Sequence, residues 1–169
     1  MEFGRVIRER ETVRSFDGKK PTEEQIQQIL EAGRLAPTAY NKQPQRVYVL
    51  ESEDALRKMD SVHPCRYNAP VVLMVCADRN LTGNDQGWES THQVDASIAA
   101  THMLLAACDA GVDSAWVGVF DQVGTRKAFG LAENIVPICF LDLGFRTADY
   151  KTSPSHTKRN PLSAMVTRL

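Results

Sequence analysis

The sequence predicts an α+β fold in which helices flank a central sheet. Helical and strand patterns interleave along the 169 residues without a regular βαβ repeat, which favours an α+β sandwich over a doubly wound fold. Apolar residues make up 43% of the chain and charged residues 24%, as in globular domains with a sizeable core. Ala96–Ala110 is apolar nearly all round, so a helix there needs cover on most sides. We therefore expect one domain over residues 1–169, with this helix buried in a dimer.

The chain opens with a helix, an extended segment and a second helix. A short amphipathic helix is predicted where three apolar residues have helical spacing, at Phe3, Val6 and Ile7. In the following RERETVRSF, three polar side chains alternate and point the same way if the backbone is extended: Arg10, Thr12 and Arg14. Thr22 and Gln25 form a capping box that begins the second helix, which Pro37 ends at about Ala36.

Alternation and apolar runs predict the strands of the sheet. They lie, in chain order, at Val47–Leu50, Ala69–Ala77, Ala115–Phe120 and Ile135–Leu143. Ala69–Ala77 is an unbroken apolar run, which indicates a central strand that is buried on both faces. Near the end of the chain, KTSPSHTKRNP is predicted to be a loop, and Ala164–Leu169 has strand-like alternation.

Three further helices and two loops complete the predicted elements. Short helices are predicted over Asp54–Asp60 and near Arg126–Phe129. A long helix is expected from about Ser90 to Ala110, because the glycine that follows is a common helix stop. Polar, turn-forming residues predict a loop for APTAYNKQPQ and another for Asn80–Gly87.

Composition and missing motifs exclude several functional classes. A formal net charge of −1 gives no field that attracts nucleic acid, and no apolar run is long enough to cross a membrane. The start, MEFGRVIRER, lacks the apolar core of a signal peptide, and the four cysteines form no CxxC pair, so we expect a cytoplasmic setting. The dinucleotide, phosphate-loop, nucleophile-elbow and HExxH motifs are absent. Glu89 and His92 form a lone Glu-x-x-His pair, so no metal site is expected.

The near-neutral total hides an uneven distribution of charge. Residues 1–20 and 146–169 together carry 11 Lys or Arg against 5 Asp or Glu, and residues 21–145 carry 9 against 16. The two ends are therefore basic and the middle is acidic. Two interpretations stay open: the ends are solvated tails, or they meet at a small anionic ligand.

Three clusters of polar residues could bind a ligand. The forked donors of Arg10 and Arg14, with the Thr12 hydroxyl between them, suit a phosphate or a carbonyl, although they could also form a salt-bridged surface. Lys158 and Arg159 form a second basic pair, with a solvated tail as the alternative. The amides and hydroxyl of the 38–43 loop suit the edge of a heteroaromatic ring, although spacing alone favours ordinary turn chemistry: Thr38, Asn41 and Gln43.

An ordered set of motifs resembles the nitroreductase family of FMN-dependent oxidoreductases along nearly the whole chain. The set runs RETVRSF, EEQIQQILEAGRLAPTAYNKQP, NAPVVLMVCA, VDASIAATHMLLAACDAGVDSAWVGVF and KRNPL. The resemblance implies interlocked homodimers with a mixed, mainly antiparallel sheet flanked by helices. It also implies two FMN molecules at the dimer interface, each contacted by both chains.

The resemblance assigns the two basic clusters to FMN. Arg10 and Thr12 match contacts to the phosphate or ribityl chain, and Arg14 matches the cation beside the pyrimidine edge of the flavin. Arg159, with Lys158, matches the late basic residue that closes on the phosphate. The charged ends of the chain are therefore expected to meet at one phosphate.

Other segments match contacts to the flavin ring. The loop that reaches the ring from the partner subunit is matched by Pro37, Thr38, Ala39 and Asn41. Gly118 and Val119 match the backbone beside the reactive N5 edge, and Asn68 is a further candidate in a region of variable length. The resemblance implies that the flavin carries the chemistry, so no protein nucleophile or general base is expected.

Four positions depart from the family pattern. Gln45 stands where many members have Trp, and Tyr40 stands where a small residue is common. Thr12 replaces the commoner Ser and keeps the hydroxyl, whereas Glu11 places an acid beside the phosphate cluster and weakens binding unless it points away. These departures bear on substrate range and FMN affinity.

The resemblance implies an oxidoreductase that moves hydride from NADH or NADPH through FMN to a small acceptor, such as a nitroaromatic or a quinone. Arg14 is expected to stabilise negative charge on the reduced ring. Other flavin chemistry stays open, namely dehydrogenation, dehalogenation or flavin breakdown, as does a non-catalytic flavin- or nucleotide-binding module. The sequence predicts neither the preferred nicotinamide nor the acceptor.

Overall fold

The computed structural model describes residues 2–81 and 91–169, which form an α+β arrangement. The helices are α1 (Phe3–Glu9), α2 (Glu23–Arg34), α3 (Glu53–Val62), α4 (Thr91–Asp109) and α5 (Gln122–Phe129). The strands are β1 (Gln45–Leu50), β2 (Val71–Asp78), β3 (Asp113–Val117) and β4 (Ile135–Gly144). Short 3-10 turns lie at Ala39–Asn41, Arg79–Leu81 and Leu162–Ala164.

The four strands form one sheet in the order β1-β2-β4-β3, and each pair of neighbours is antiparallel. Outside these strands, Thr12 forms an isolated parallel bridge with Ser114 of β3. The first seven residues of β2 are buried, as the unbroken apolar run predicts for a central strand. The predicted α+β sandwich with a mainly antiparallel sheet is confirmed.

Helices cover both faces of the sheet because side chains alternate along each strand. On one face, Val71, Leu73 and Val75 of β2 share a core with residues of α2 and α4. On the other face, Val72 and Met74 share a core with residues from α3 and α5. The sheet is therefore the middle of three layers.

A local signal fixes the start of α2. The Thr22 hydroxyl accepts a hydrogen bond from the Gln25 N–H at 3.2 Å, and the Gln25 side-chain oxygen accepts one from the Thr22 N–H at 2.9 Å. This is the predicted capping box, and both hydrogen bonds are present. The helix ends at Arg34, two residues before the predicted Ala36, because a residue that precedes proline disfavours helical dihedrals.

Two strand predictions are wrong in part or in full. The strand expected over Ala115–Phe120 ends at Val117, because Gly118 leaves the ladder and Val119 is exposed. The strand expected over Ala164–Leu169 does not form: a 3-10 turn ends at Ala164, and the residues after it are exposed. Alternation alone makes no strand where the described part of the chain offers no neighbour to pair with.

The loop expected over Asn80–Gly87 is described only as far as Leu81, where the chain forms a 3-10 turn, and residues 82–87 lie outside the described residues. The expected start of α4 at Ser90 also lies outside them. The described helix runs from Thr91 to Asp109, and Gly111 follows it with φ +72°. That dihedral suits glycine, as predicted for the stop of this helix.

One face of α4 is left uncovered by the described residues. A groove of about 490 Å³ follows this face, lined by Gln93, Val94, Ser97, Ile98, Thr101 and His102. The opposite face is fully buried at Ala96, Ala100 and Met103. Among the described helices, α4 included, none has the length and apolar content needed to cross a bilayer.

Among the described residues, Asp142 is a buried acid whose carboxyl forms no hydrogen bond. Asp142 lies in β4 opposite Val72 of β2 and Ala115 of β3 and has no exposed surface. Neither carboxyl oxygen has a hydrogen-bond partner within residues 2–81 and 91–169. Burial raises the pKa of Asp142 to about 8, an effect that nearby Arg66 opposes and Asp60 reinforces.

Candidate functional site

Both ends of the chain meet at one cavity of about 190 Å³. The segment after α1 and the segment after β4 contribute its lining, which consists of Arg10, Glu11, Thr12, Arg14, Ser153, Ser155, His156 and Arg159. Arg10 and Arg159 were predicted to converge, and the structure brings them to the same cavity together with Thr12 and Arg14. The assignment of these residues to a phosphate stays a prediction.

The extended backbone after α1 orients the side chains of Arg10, Thr12 and Arg14 towards the cavity. The Val13 N–H donates a hydrogen bond to the Ser114 carbonyl at 2.9 Å, which fixes the segment beside β3. Val13 is fully buried and Glu11 is 9% exposed, so the alternating residues on the opposite side of the backbone face outward. Arg10, Thr12 and Arg14 therefore share one side, as the alternation predicts.

Glu11 forms an ion pair with Arg146 and not with the arginines of the cavity. Its carboxylate forms an ion pair with Arg146, and it accepts hydrogen bonds from the Tyr150 hydroxyl and the Thr152 hydroxyl, each at 3.3 Å. Arg146 also pairs with Asp113, and these hydrogen bonds raise the pKa of its guanidinium. The acid beside the cluster is thus balanced by a cation, and its bonds tie the C-terminal segment to the segment after α1.

The basic groups of the cavity keep their donors available. Within residues 2–81 and 91–169, Arg10, Arg14 and Arg159 have no carboxylate within 4.0 Å. Arg159 donates from Nη1 to the carbonyls of Ser155 and Lys158, at 3.3 and 2.7 Å. These bonds curl the loop around Nη1 of Arg159. The other guanidinium nitrogens of Arg159 stay available to bind a ligand. A cavity with several guanidinium groups and hydroxyls fits an anion that has many acceptor oxygens, such as a phosphate.

Arg14 lies close enough to Tyr67 to interact with its hydroxyl. Burial raises the pKa of Tyr67, the Cys65 thiol acts in the same direction, and the Arg14 guanidinium opposes it. Asn68 follows with φ 66° and donates from its side chain to the Phe16 carbonyl at 3.1 Å. Asn68 is therefore a tether between two loops and does not line the cavity.

The loop between α2 and β1 lies apart from the cavity of its own chain. None of its predicted contacts lines that cavity: Pro37, Thr38, Ala39 and Asn41. The Ala39 N–H donates to Oδ1 of Asp95 on α4 at 2.9 Å, and the Thr38 hydroxyl accepts from the Gln43 N–H at 3.0 Å. The backbone is left-handed at Tyr40 and Asn41, with φ of 51° and 54°. Tyr40 is 77% exposed, so its ring is free to meet a ligand or a partner.

Three more predicted positions also lie outside the cavity. Gly118 and Val119 follow β3, and Val119 is 87% exposed. A Cβ on Gly118 would lie 3.0 Å from the Trp116 ring nitrogen, so a larger residue there would press on Trp116. Lys158 does not line the cavity and contributes backbone contacts to the curled loop.

The sequence did not single out three residues that line the cavity. Ser153, Ser155 and His156 lie in the stretch predicted only as a loop. Two hydroxyls and an imidazole shortly before Lys158–Arg159 were a possible signal, but no spacing rule connects them to a site near the start of the chain. In the described part of the chain, no three His, Cys, Asp or Glu side chains are grouped to hold a metal, and Glu89 lies outside it.

The model of the nitroreductase family matches residues 7–62 and 64–145. The chain belongs to the nitroreductase family. It is 32% identical over 152 residues to a Methanothermobacter thermautotrophicus protein provisionally named an NADH dehydrogenase/NAD(P)H nitroreductase, covering 86% of this chain and 78% of that protein. A similar relative from Archaeoglobus fulgidus is 32% identical over 149 residues, with 83% of each chain covered.

Solved nitroreductases have the same fold. A nitroreductase family protein from Clostridium difficile 630 superposes with a TM-score of 0.91 at 30% identity, covering 99% of this chain and 98% of that one. A protein from Exiguobacterium sibiricum, provisionally named a nitroreductase and solved in complex with FMN, superposes with a TM-score of 0.87 at 19% identity, covering 100% and 98%. At that identity, the second likeness concerns the fold alone.

Proposed function

We propose that this nitroreductase-family protein is an NAD(P)H-dependent FMN oxidoreductase that reduces a small acceptor such as a nitroaromatic or a quinone. The observation that carries the proposal is the cavity where three arginines from both ends of the chain meet with no carboxylate partner among the described residues. Its donors fit the phosphate of FMN. The names of the relatives and the FMN complex of the Exiguobacterium protein agree with it.

The chain's own residues bind and orient the coenzyme in this proposal. Arg10 and Arg159 hold the phosphate from opposite ends of the chain, and the Thr12 hydroxyl contacts the phosphate or the ribityl chain. Arg14 places positive charge where the ring gains electrons, which stabilises the reduced state. When bound, FMN would supply the redox chemistry, which is hydride transfer from the nicotinamide to the acceptor. No protein nucleophile is required.

We further propose that the working unit is a homodimer. The uncovered face of α4 supports it, because Val94 and Ile98 line a groove that a second chain would fill. The exposed tail supports it as well, since Met165 is 79% exposed and Val166 is 45% exposed. The loop at Ala39–Asn41 would reach the FMN of the other subunit, which explains why it does not reach the cavity of its own chain.

We also propose a cytoplasmic location. Cys65, Cys76, Cys108 and Cys139 are all free thiols, as expected in a reducing compartment. Burial raises the pKa of Cys76 to about 12 and that of Cys139 further still. Both thiols are therefore packing groups and not nucleophiles.

Coenzyme binding and reduction test the proposal together. The purified protein should bind FMN, and NADH or NADPH should bleach the flavin absorbance under anaerobic conditions. A panel of nitroaromatics and quinones should then restore the absorbance and identify the acceptor. Absence of FMN binding would refute the proposed function, whereas bound FMN that neither nucleotide reduces would favour a flavin-binding module.

Variants of the cavity sharpen the test. Arg10→Ala and Arg159→Ala should each weaken FMN binding about tenfold to a hundredfold, because a lost charged hydrogen bond costs about 1.5–3 kcal/mol. Lys151→Ala is the matched control, since Lys151 lies in the same segment, is exposed and does not line the cavity. Unchanged FMN affinity in either arginine variant would refute the proposed contact between that arginine and the FMN phosphate.

A further inference from the structure

A buried carboxylate on α4 faces the loop between α2 and β1. Asp95 is 3% exposed, and its Oδ1 accepts a hydrogen bond from the Ala39 N–H at 2.9 Å. Its Oδ2 is buried without a hydrogen-bond partner among the described residues. A buried carboxylate is costly unless it is well paired, so its presence at this position needs a reason.

The loop that it holds has a strained backbone. Tyr40 and Asn41 are non-glycine residues in the left-handed region, and such residues persist only where surrounding contacts hold them. Most hydrogen bonds of the loop are local, such as the one from Asn41 N–H to the Thr38 carbonyl at 3.0 Å. The bond from Ala39 to Asp95 is the one that connects residues 38–42 to a helix in the described part of the chain.

We propose that Asp95 is a positioning residue that fixes the 37–43 loop against α4 in the conformation that contacts the FMN of the second subunit. The inference rests on the proposed function and adds to it a residue that touches no coenzyme. A carboxylate suits the task because a charge-assisted hydrogen bond is about twice as strong as a neutral one. The same helix presents its uncovered face to the second chain, so Asp95 couples the loop to the dimer interface.

Two substitutions separate the hydrogen bond from the charge. Asp95→Ala removes the acceptor and should weaken FMN binding about tenfold, as expected when a charged hydrogen bond is lost. Asp95→Asn keeps an oxygen that accepts from the Ala39 N–H, so its FMN affinity should stay within about threefold of wild type. Wild-type affinity in Asp95→Ala would overturn the inference. If that variant fails to fold, Asp95→Leu, which also lacks the acceptor and fills the space of the carboxylate, takes its place here and in the mixed dimer described next.

A mixed dimer tests whether Asp95 acts across the interface. A chain carrying Asp95→Ala is co-expressed with a chain carrying Arg10→Ala, each with its own affinity tag, and the dimer holding both tags is isolated. If the loop serves the other subunit, one site carries both substitutions and the other carries neither. Such a dimer should bind one FMN with wild-type affinity, a result that a general loss of stability would not produce.

The matched control is the mixed dimer of Arg10→Ala with Arg159→Ala. Both residues line the same cavity of one chain, so each site of this dimer has one defect and neither should bind FMN tightly. A mixed dimer of the Asp95 and Arg10 variants that also lacks a tight site would overturn the inference. Failure of wild type to bind FMN would instead refute the proposed function, so the two failures are distinguishable.

Discussion

Replacing Asp142 with Asn is expected to change how the stability of the protein depends on pH. The carboxyl has no exposed surface, and neither of its oxygens forms a hydrogen bond with the part of the chain that the structure describes. Its pKa is about 8 in the folded protein, chiefly because burial disfavours the charged form. In the unfolded chain the carboxyl is solvated, with a pKa of about 4.

The size of the effect follows from these two values. Between about pH 4 and pH 8 the folded state holds one more proton than the unfolded state, so the free energy of unfolding falls as pH rises. Each pH unit in this window lowers it by about 1.4 kcal/mol, which amounts to about 4 kcal/mol at pH 7. The loss is absent below the unfolded pKa and complete above pH 8. Asn does not ionise, so the free energy of unfolding of Asp142→Asn should not show this fall with pH.

Urea unfolding at pH 5, 6, 7 and 8 tests this prediction at one fixed protein concentration and without added flavin. The difference in unfolding free energy between Asp142→Asn and wild type should grow in favour of the variant by about 3 kcal/mol from pH 5 to pH 7. Asp149→Asn, at an exposed acid, is the control and should show no such trend. A constant difference for Asp142→Asn across this range would refute the buried, proton-binding carboxyl.

Three further variants test separate features. Thr22→Ala removes the cap of α2 and should lower the free energy of unfolding by about 1 kcal/mol in thermal melts; an unchanged melt would contradict the role of the capping box. Gly33→Ala should cost about 1–3 kcal/mol in urea unfolding, because its Cβ would lie 2.8 Å from Met103 Cγ, and truncating Met103 in the same chain should recover part of the loss. Glu11→Gln weakens the pair between the Glu11 side chain, which is 8% exposed, and Arg146, which is 39% exposed. The variant should cost about 1–2 kcal/mol, less than a fully buried pair because solvent screens Arg146, and should increase cleavage of the C-terminal segment by protease. Equal protease resistance would contradict the proposed link between the two segments.

The parts of the fold that rest on local signals could be predicted from the sequence. The capping box of Thr22 placed the start of α2, and the unbroken apolar run placed β2 at the centre of the sheet. The part of the candidate site that comes from the start of the chain could also be predicted. Alternation after α1 places Arg10, Thr12 and Arg14 on one side of the backbone, and all three line the cavity. Each of these features depends on neighbours within a few residues.

Features that depend on distant residues could not be predicted in this way. Alternation at Ala164–Leu169 predicts a strand, but a strand also needs a neighbouring strand to pair with, and such a neighbour comes from distant parts of a sequence. Ser155 and His156 line the cavity only because the fold brings the C-terminal segment next to the segment after α1. No local signal in the sequence gives Asp95 a role. Its role depends on Ala39, which is 56 residues away in the sequence and donates a hydrogen bond to it.

The order of the strands has a consequence for how the chain folds. The two central strands pair with each other, yet β2 ends at Asp78 and β4 begins only at Ile135, with α4, β3 and α5 between them. Closing such a long loop costs chain entropy before any of the pairing is gained, so the sheet should assemble slowly. Until β4 arrives, one edge of the most apolar strand is exposed to other chains. The hazard of aggregation for this protein therefore lies in the time before the sheet closes, and low temperature and dilution during refolding should reduce it.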